Sequence, residues 1–173
     1  MKLASEIINT DVFSVKEQGV LGKVKNIVID PASGNFVALQ IYGKGMRKDR
    51  CLISSLEIKH LEGDILIVDS EDAVETKEDL PKPYEILKSK ISILGSKVFD
   101  EAGIFLGRVF DFALDSNIDQ MTRIYVTRKG ILGFLGSTLI ISYIQIVEVN
   151  KNRVIVSSGV LENGGEASLE TMS

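Results

Sequence analysis

The phrase LGKVKNIVID, beginning at Leu21, returns as LGRVFDFALD beginning at Leu106. Placing Gly22 on Gly107 sets Val24 on Val109, Ile29 on Leu114 and Asp30 on Asp115, an offset of 85 residues. The same offset pairs Phe36 with Met121, Leu39 with Ile124, Ile41 with Val126, Lys44 with Lys129 and Gly45 with Gly130. Three residues are then gained, and at an offset of 88 Ser54 meets Ser142, Leu56 meets Ile144 and Ile58 meets Ile146. A 173-residue chain with such self-similarity is constrained to two copies of one unit. A copy of this size buries little surface alone, so each must close on itself or lean on the other.

The local pattern within each copy is that of strands. Ile and Val are abundant, as suits a pleated, half-buried surface. In copy one a helical turn near Ser5 precedes a strand at Val12, and a longer strand runs from Gly22 to Asp30. DPASGN then makes a hairpin turn, Pro31 presetting φ and Gly34 accepting the left-handed position. Copy two repeats that order. Short strands with regular turns predict small barrels, whose closure removes exposed edges. The alternation breaks at Ile27, Val28 and Ile29. A bulge accounts for that break, as does a strand buried on both faces with the second face against the other copy.

The chain divides accordingly into copy one (1–70), an acidic connector (71–85), copy two (86–161) and a polar, Gly-rich tail (162–173) that reads as disordered. The connector region, DSEDAVETKEDLPKPYE, is dense in acids and holds two of the three prolines. It reads as a solvated linker with a helical turn near Ala73.

The order GVLGKVKNIVIDPASGNFVAL, then CLISSLEI, then GDILIV, resembles the PRC-barrel domain. GIFLGRVFDFALD, LIISYIQI and NRVIV form a weaker second version. The resemblance implies an all-β protein of two tandem PRC-type β-barrels of about six short strands each, related by internal duplication. Members of that family include a subunit of photosynthetic reaction centres, a ribosome maturation factor and archaeal proteins linked to cell division. The resemblance therefore implies a non-catalytic adaptor or scaffold that binds a protein, and it does not choose the partner.

Residue chemistry agrees with a non-enzyme. His60 is the only histidine, and one histidine cannot build a metal site without several convergent ligands. Cys51, the only cysteine, sits in a predicted strand and reads as a small core residue, with no disulfide to form. GILGFLG, from Gly130, fits neither dinucleotide-loop nor P-loop spacing. The connector acids lack the calcium-loop pattern. Neither a cofactor nor a metal is expected. The lone cysteine, the lack of a signal-peptide run and the lack of an 18-residue apolar stretch point to a cytoplasmic protein with no membrane span.

Two surfaces are candidates for partners. Ile131, Leu132, Phe134 and Leu135 are bulky groups in a loop whose counterpart in copy one is charged. They read either as a docking loop or as a plug folded onto the barrel end. Lys44, Arg47, Lys48 and Arg50, with Arg128 and Lys129 in copy two, form basic hairpin tips. They offer an alternative, RNA- or ribosome-associated role, although the net charge of −4 opposes non-specific nucleic-acid binding and only Tyr42 interleaves with the tips.

Overall fold

A computed structural model describes residues 1–44, 46, 50–62, 65–115, 117, 119–128 and 137–160, the side chains of Arg50, Glu62 and Val160 excepted. The elements in chain order are β1 (Lys2–Leu3), α1 (Ala4–Ile7), β2 (Asp11–Ser14), β3 (Gly19–Ile29), β4 (Phe36–Tyr42), β5 (Arg50–Ser54), β6 (His60–Glu62), β7 (Ile65–Val68) and β8 (Glu75–Thr76). There follow α2 (Pro81–Ser89), β9 (Lys97–Asp100), β10 (Phe105–Asp115), β11 (Gln120–Thr127), β12 (Thr138–Ser142), β13 (Ile146–Asn150) and β14 (Arg153–Val156).

These strands form two seven-stranded sheets. The first runs β6-β7-β2-β3-β4-β5-β8, and the second runs β12-β11-β10-β9-β14-β13 with β1 attached to β10. Six strands of each sheet correspond one to one. In both, a parallel pair (β2 with β7, β9 with β14) is set among antiparallel neighbours. The backbone repeats in detail upstream of the region where the sequence copies align. Asn9 N–H donates to Val24 O at 2.8 Å and Gly95 N–H to Val109 O at 2.8 Å. Both donors take left-handed backbone, φ 70° and 77°. The offset at the donors is 86 residues, because the span from Gly95 to Val109 is one residue shorter than that from Asn9 to Val24.

The sheets are open, where closed barrels were expected. No pairing joins the two end strands of either sheet among the described residues. The edge strands of the first sheet are short: β6 has three residues and β8 two. The seventh strand of each sheet comes from outside the repeat. In the first it is β8, which pairs with β5. In the second it is β1, whose Lys2 and Leu3 sit opposite Leu114 and Ala113.

Residues 71–85 are also more ordered than a solvated linker. Ala73 and Val74 are buried, β8 extends a sheet, and α2 starts on Pro81 with left-handed Lys90 ending it. The apolar groups Ile86 and Leu87 of α2 face β3 across a recess of about 280 Å³. That recess lies beside Val28 and Ile29, the counterparts of the β10 residues that β1 covers.

The halves share one core. A single apolar cluster includes Val12, Leu39 and Leu66 of the first sheet, Ala4 and Ile7 of α1, and Phe112, Ile124 and Val154 of the second sheet. The break in alternation along β3 has both physical causes: register shifts at Val24/Asn26 and Val28/Ile29, and burial of Val28 and Ile29 alike. In β10 the same stretch, Asp111 to Leu114, is buried throughout. Asp111 is met there by α1: its carboxylate accepts from Ser5 Oγ at 2.5 Å and Ser5 N–H at 3.2 Å.

Candidate functional site

The hairpins β3–β4 and β10–β11 meet tip to tip. Asn35 bridges Gln120. Phe36 N–H donates to Asp119 O at 2.7 Å, and Met121 N–H donates to Gly34 O at 3.0 Å. This junction carries one short 3₁₀ turn on either side. Ser55–Glu57 follows β5, and Tyr143–Gln145 follows β12.

Each turn is anchored on the opposite half. The Ser55 hydroxyl bonds the Asp119 carboxyl, whose proton affinity burial raises above the usual range. The Tyr143 ring lies where a Cβ on Gly34 would stand, and Gly34 has φ +70°. Burial, with Asp30 nearby, raises the Tyr143 hydroxyl pKa. Asp30 is itself held low, chiefly by Lys82, whose Nζ donates to it at 2.6 Å. The turns are also closed locally: Ser54 Oγ accepts from Leu56 N–H at 3.4 Å, and Ser142 N–H donates to Gln145 Oε1 at 3.0 Å.

The product is a pair of apolar knobs. Leu56 is 81% exposed and Ile144 is 89% exposed, and the two occupy the same position in their respective copies. Single exposed aliphatic groups are ordinary. Recurrence of the most exposed ones at equivalent, well-anchored positions is not explained by folding. Val147, three residues beyond Ile144, is 56% exposed.

Residues 1–74 match the family model of the PRC-barrel domain. Residues 1–74 are one PRC-barrel domain. The knob Leu56 lies inside this PRC-barrel region, whereas Ile144 belongs to the second sheet, beyond the match. No curated protein matches the chain.

The residues singled out from sequence are dispersed. Lys44 is exposed just past β4 in the PRC-barrel domain, and the Arg50 backbone opens β5. Arg128 is exposed beyond β11, its N–H donating to Ser137 O at 3.1 Å. Arg47, Lys48, Lys129, Ile131, Leu132, Phe134 and Leu135 lie outside the described residues. His60 is exposed at the start of β6, and Cys51 is half-buried in β5. Among the described residues no group of three or more His, Cys, Asp or Glu side chains could hold a metal ion. No described helix is long and apolar enough to cross a membrane.

The knobs themselves were aligned in the sequence but not recognised as a site. A signal was present: SSLE and SYIQ both carry Ser followed three residues later by Glu or Gln. That pattern marks a capped turn, and an aliphatic residue within it points outward rather than into a sheet.

Proposed function

We propose that this protein is a non-catalytic, cytoplasmic adaptor made of two tandem PRC-type units, the second a divergent copy of the first. It holds a protein partner through the two knobs, Leu56 and Ile144. The observation that carries this reading is their near-complete exposure at equivalent positions of one rigid junction. Two equal anchors on one body allow two-point attachment, in which the second contact forms at high effective concentration. The loop with Ile131, Leu132, Phe134 and Leu135 joins the same proposal as a further contact of copy two.

The test is affinity capture of partners by the full chain, followed by direct titration of the captured protein. Leu56→Ser with Ile144→Ser should abolish binding while leaving the melting temperature within what exposed sites allow, about 0.5 kcal/mol of stability. Each single change should weaken binding, and the double change should weaken it far more than either. Full retention of the partner by the double variant refutes the reading.

A further inference from the structure

We propose that the solvent face of the second sheet binds single-stranded nucleic acid. The strands β14, β9, β10 and β11 lie side by side. Their register places Arg153 opposite Lys97, and Lys97 opposite Arg108. Three exposed cations thus form a row across adjacent strands, spanning roughly 10 Å at ordinary strand spacing. Aromatic rings flank the row. Phe99 and Phe105 pair with centroids 5.4 Å apart, and Phe110 and Tyr125 pair at 6.1 Å. The Arg153 guanidinium lies 4.6 Å from the Phe99 centroid. Phe105 and Phe110 are 51% and 53% exposed. An open groove of about 520 Å³ is lined by Lys97, Arg108 and the rings Phe99 and Phe105.

Among the described residues, Lys97, Arg108 and Arg153 have no carboxylate within 4.0 Å. Glu148, in the neighbouring strand β13, is engaged by Asn150 Nδ2 at 2.7 Å.

The first sheet serves as an internal control, because it has the same strand order without this surface. Asp11 stands where Lys97 does and Lys23 where Arg108 does, and they neutralise each other at 2.6 Å. Ile65 replaces Arg153, Val20 replaces Phe105, Lys25 replaces Phe110 and Gln40 replaces Tyr125. Of the four rings only Phe99 has an aromatic counterpart, Phe13, so the fold does not require the cations or the other three rings.

Cations follow a phosphate backbone, and exposed rings stack on bases of any identity. A duplex hides its base faces and offers these rings nothing. An acidic protein segment matches the cations and leaves the rings unused. This surface is separate from the knobs, so the inference stands independently of the adaptor proposal.

The test is fluorescence anisotropy of the full chain with labelled oligo-uridine and oligo-thymidine of about 12 nucleotides, a few bases beyond a minimal stacking site. A duplex of equal length and a polyglutamate peptide are the comparisons. Three phosphate contacts predict a slope of log K against log salt of about −2. Lys97→Gln with Arg108→Gln should flatten it to about −0.7. Phe105→Ala or Phe110→Ala should each weaken binding by about 5- to 140-fold, the loss of one stacked base. Melting temperatures should be unchanged, as at other exposed sites, and Leu56→Ser with Ile144→Ser should bind like wild type. Duplex or polyglutamate binding as tight as the single strand overturns the inference. So does single-strand binding that ignores these four substitutions, or none at low salt.

Discussion

Gly22 and Gly107 are the second residues of the repeated phrase, and they allow the repeat to be tested by substitution. Both strands pass close to a neighbouring carbonyl at this point. A Cβ on Gly22 would stand 2.5 Å from Tyr42 O and 3.1 Å from Met46 Sδ. A Cβ on Gly107 would meet the Thr127 carbonyl oxygen and the Val126 side chain. Gly107 also has φ +147°, which side chains rarely adopt, whereas Gly22 does not carry a positive φ. Overpacking costs about 1–3 kcal/mol, and a glycine-only backbone adds about 1–3 kcal/mol. Gly22→Ala should therefore cost about 2 kcal/mol and Gly107→Ala about 4 kcal/mol, summing the middle of each range. For a chain of this length these correspond to melting shifts of about 4–8 °C and 8–16 °C. Gly19→Ala is the control, since its Cβ would meet only Glu17 O at 3.7 Å, and it should shift melting by less than about 2 °C. Thermal unfolding followed by circular dichroism measures all three. If Gly107→Ala is no worse than Gly22→Ala, the backbone argument fails. If neither differs from Gly19→Ala, the close approach itself is refuted.

Ser5→Ala leaves a buried Asp111 oxygen without its hydroxyl donor and should cost about 1–3 kcal/mol in a denaturant titration. Lys82→Met removes the partner that depresses Asp30; because Lys82 is largely exposed, the cost at neutral pH should be below about 1 kcal/mol. A depressed carboxyl stabilises above its unfolded pKa and loses that contribution as pH falls through the folded value. The gap between wild type and Lys82→Met should therefore be constant at neutral pH and close below the normal aspartate range. Glu75 titrates in the opposite sense: burial, then Glu57 and Asp79, raise its pKa, and its Oε2 has no hydrogen-bond partner among the described residues. Glu75→Gln should stabilise by less than about 1 kcal/mol at neutral pH, with the gain vanishing below the normal glutamate range; destabilisation at pH 7 contradicts this.

What could be read from the sequence was whatever repeats locally. The offsets of 85 and 88 residues locate corresponding strands, and the broken alternation at Ile27–Ile29 marks the packed stretch of β3. The two extra strands, β1 and β8, were illegible because two residues cannot show a period. The helix α2 was hidden by the acids before it, although Pro81 and Pro83 are suited to a helix start and Ile86 and Leu87 provide an apolar side. The aromatic and cationic row of the second sheet is a property of register across β14, β9 and β10. Its members lie as far as 56 residues apart, Lys97 to Arg153, so no local window contains them.

The pairing of Lys2 and Leu3 with Leu114 and Ala113 sets a schedule for the nascent chain. At about 5–20 residues per second, the 112 residues added after Lys2 up to Leu114 take roughly 6–22 s to synthesise. Within that interval the PRC-barrel region is completed, but α1 has no β10 to pack on. Ala4 and Ile7, buried in the finished molecule, lack the cover of β10 until then. Folding of the first half and sealing of its leading residues are therefore separate events in time. A ribosome-bound chain halted before residue 105 should leave its first seven residues open to protease, and one released past residue 128 should protect them.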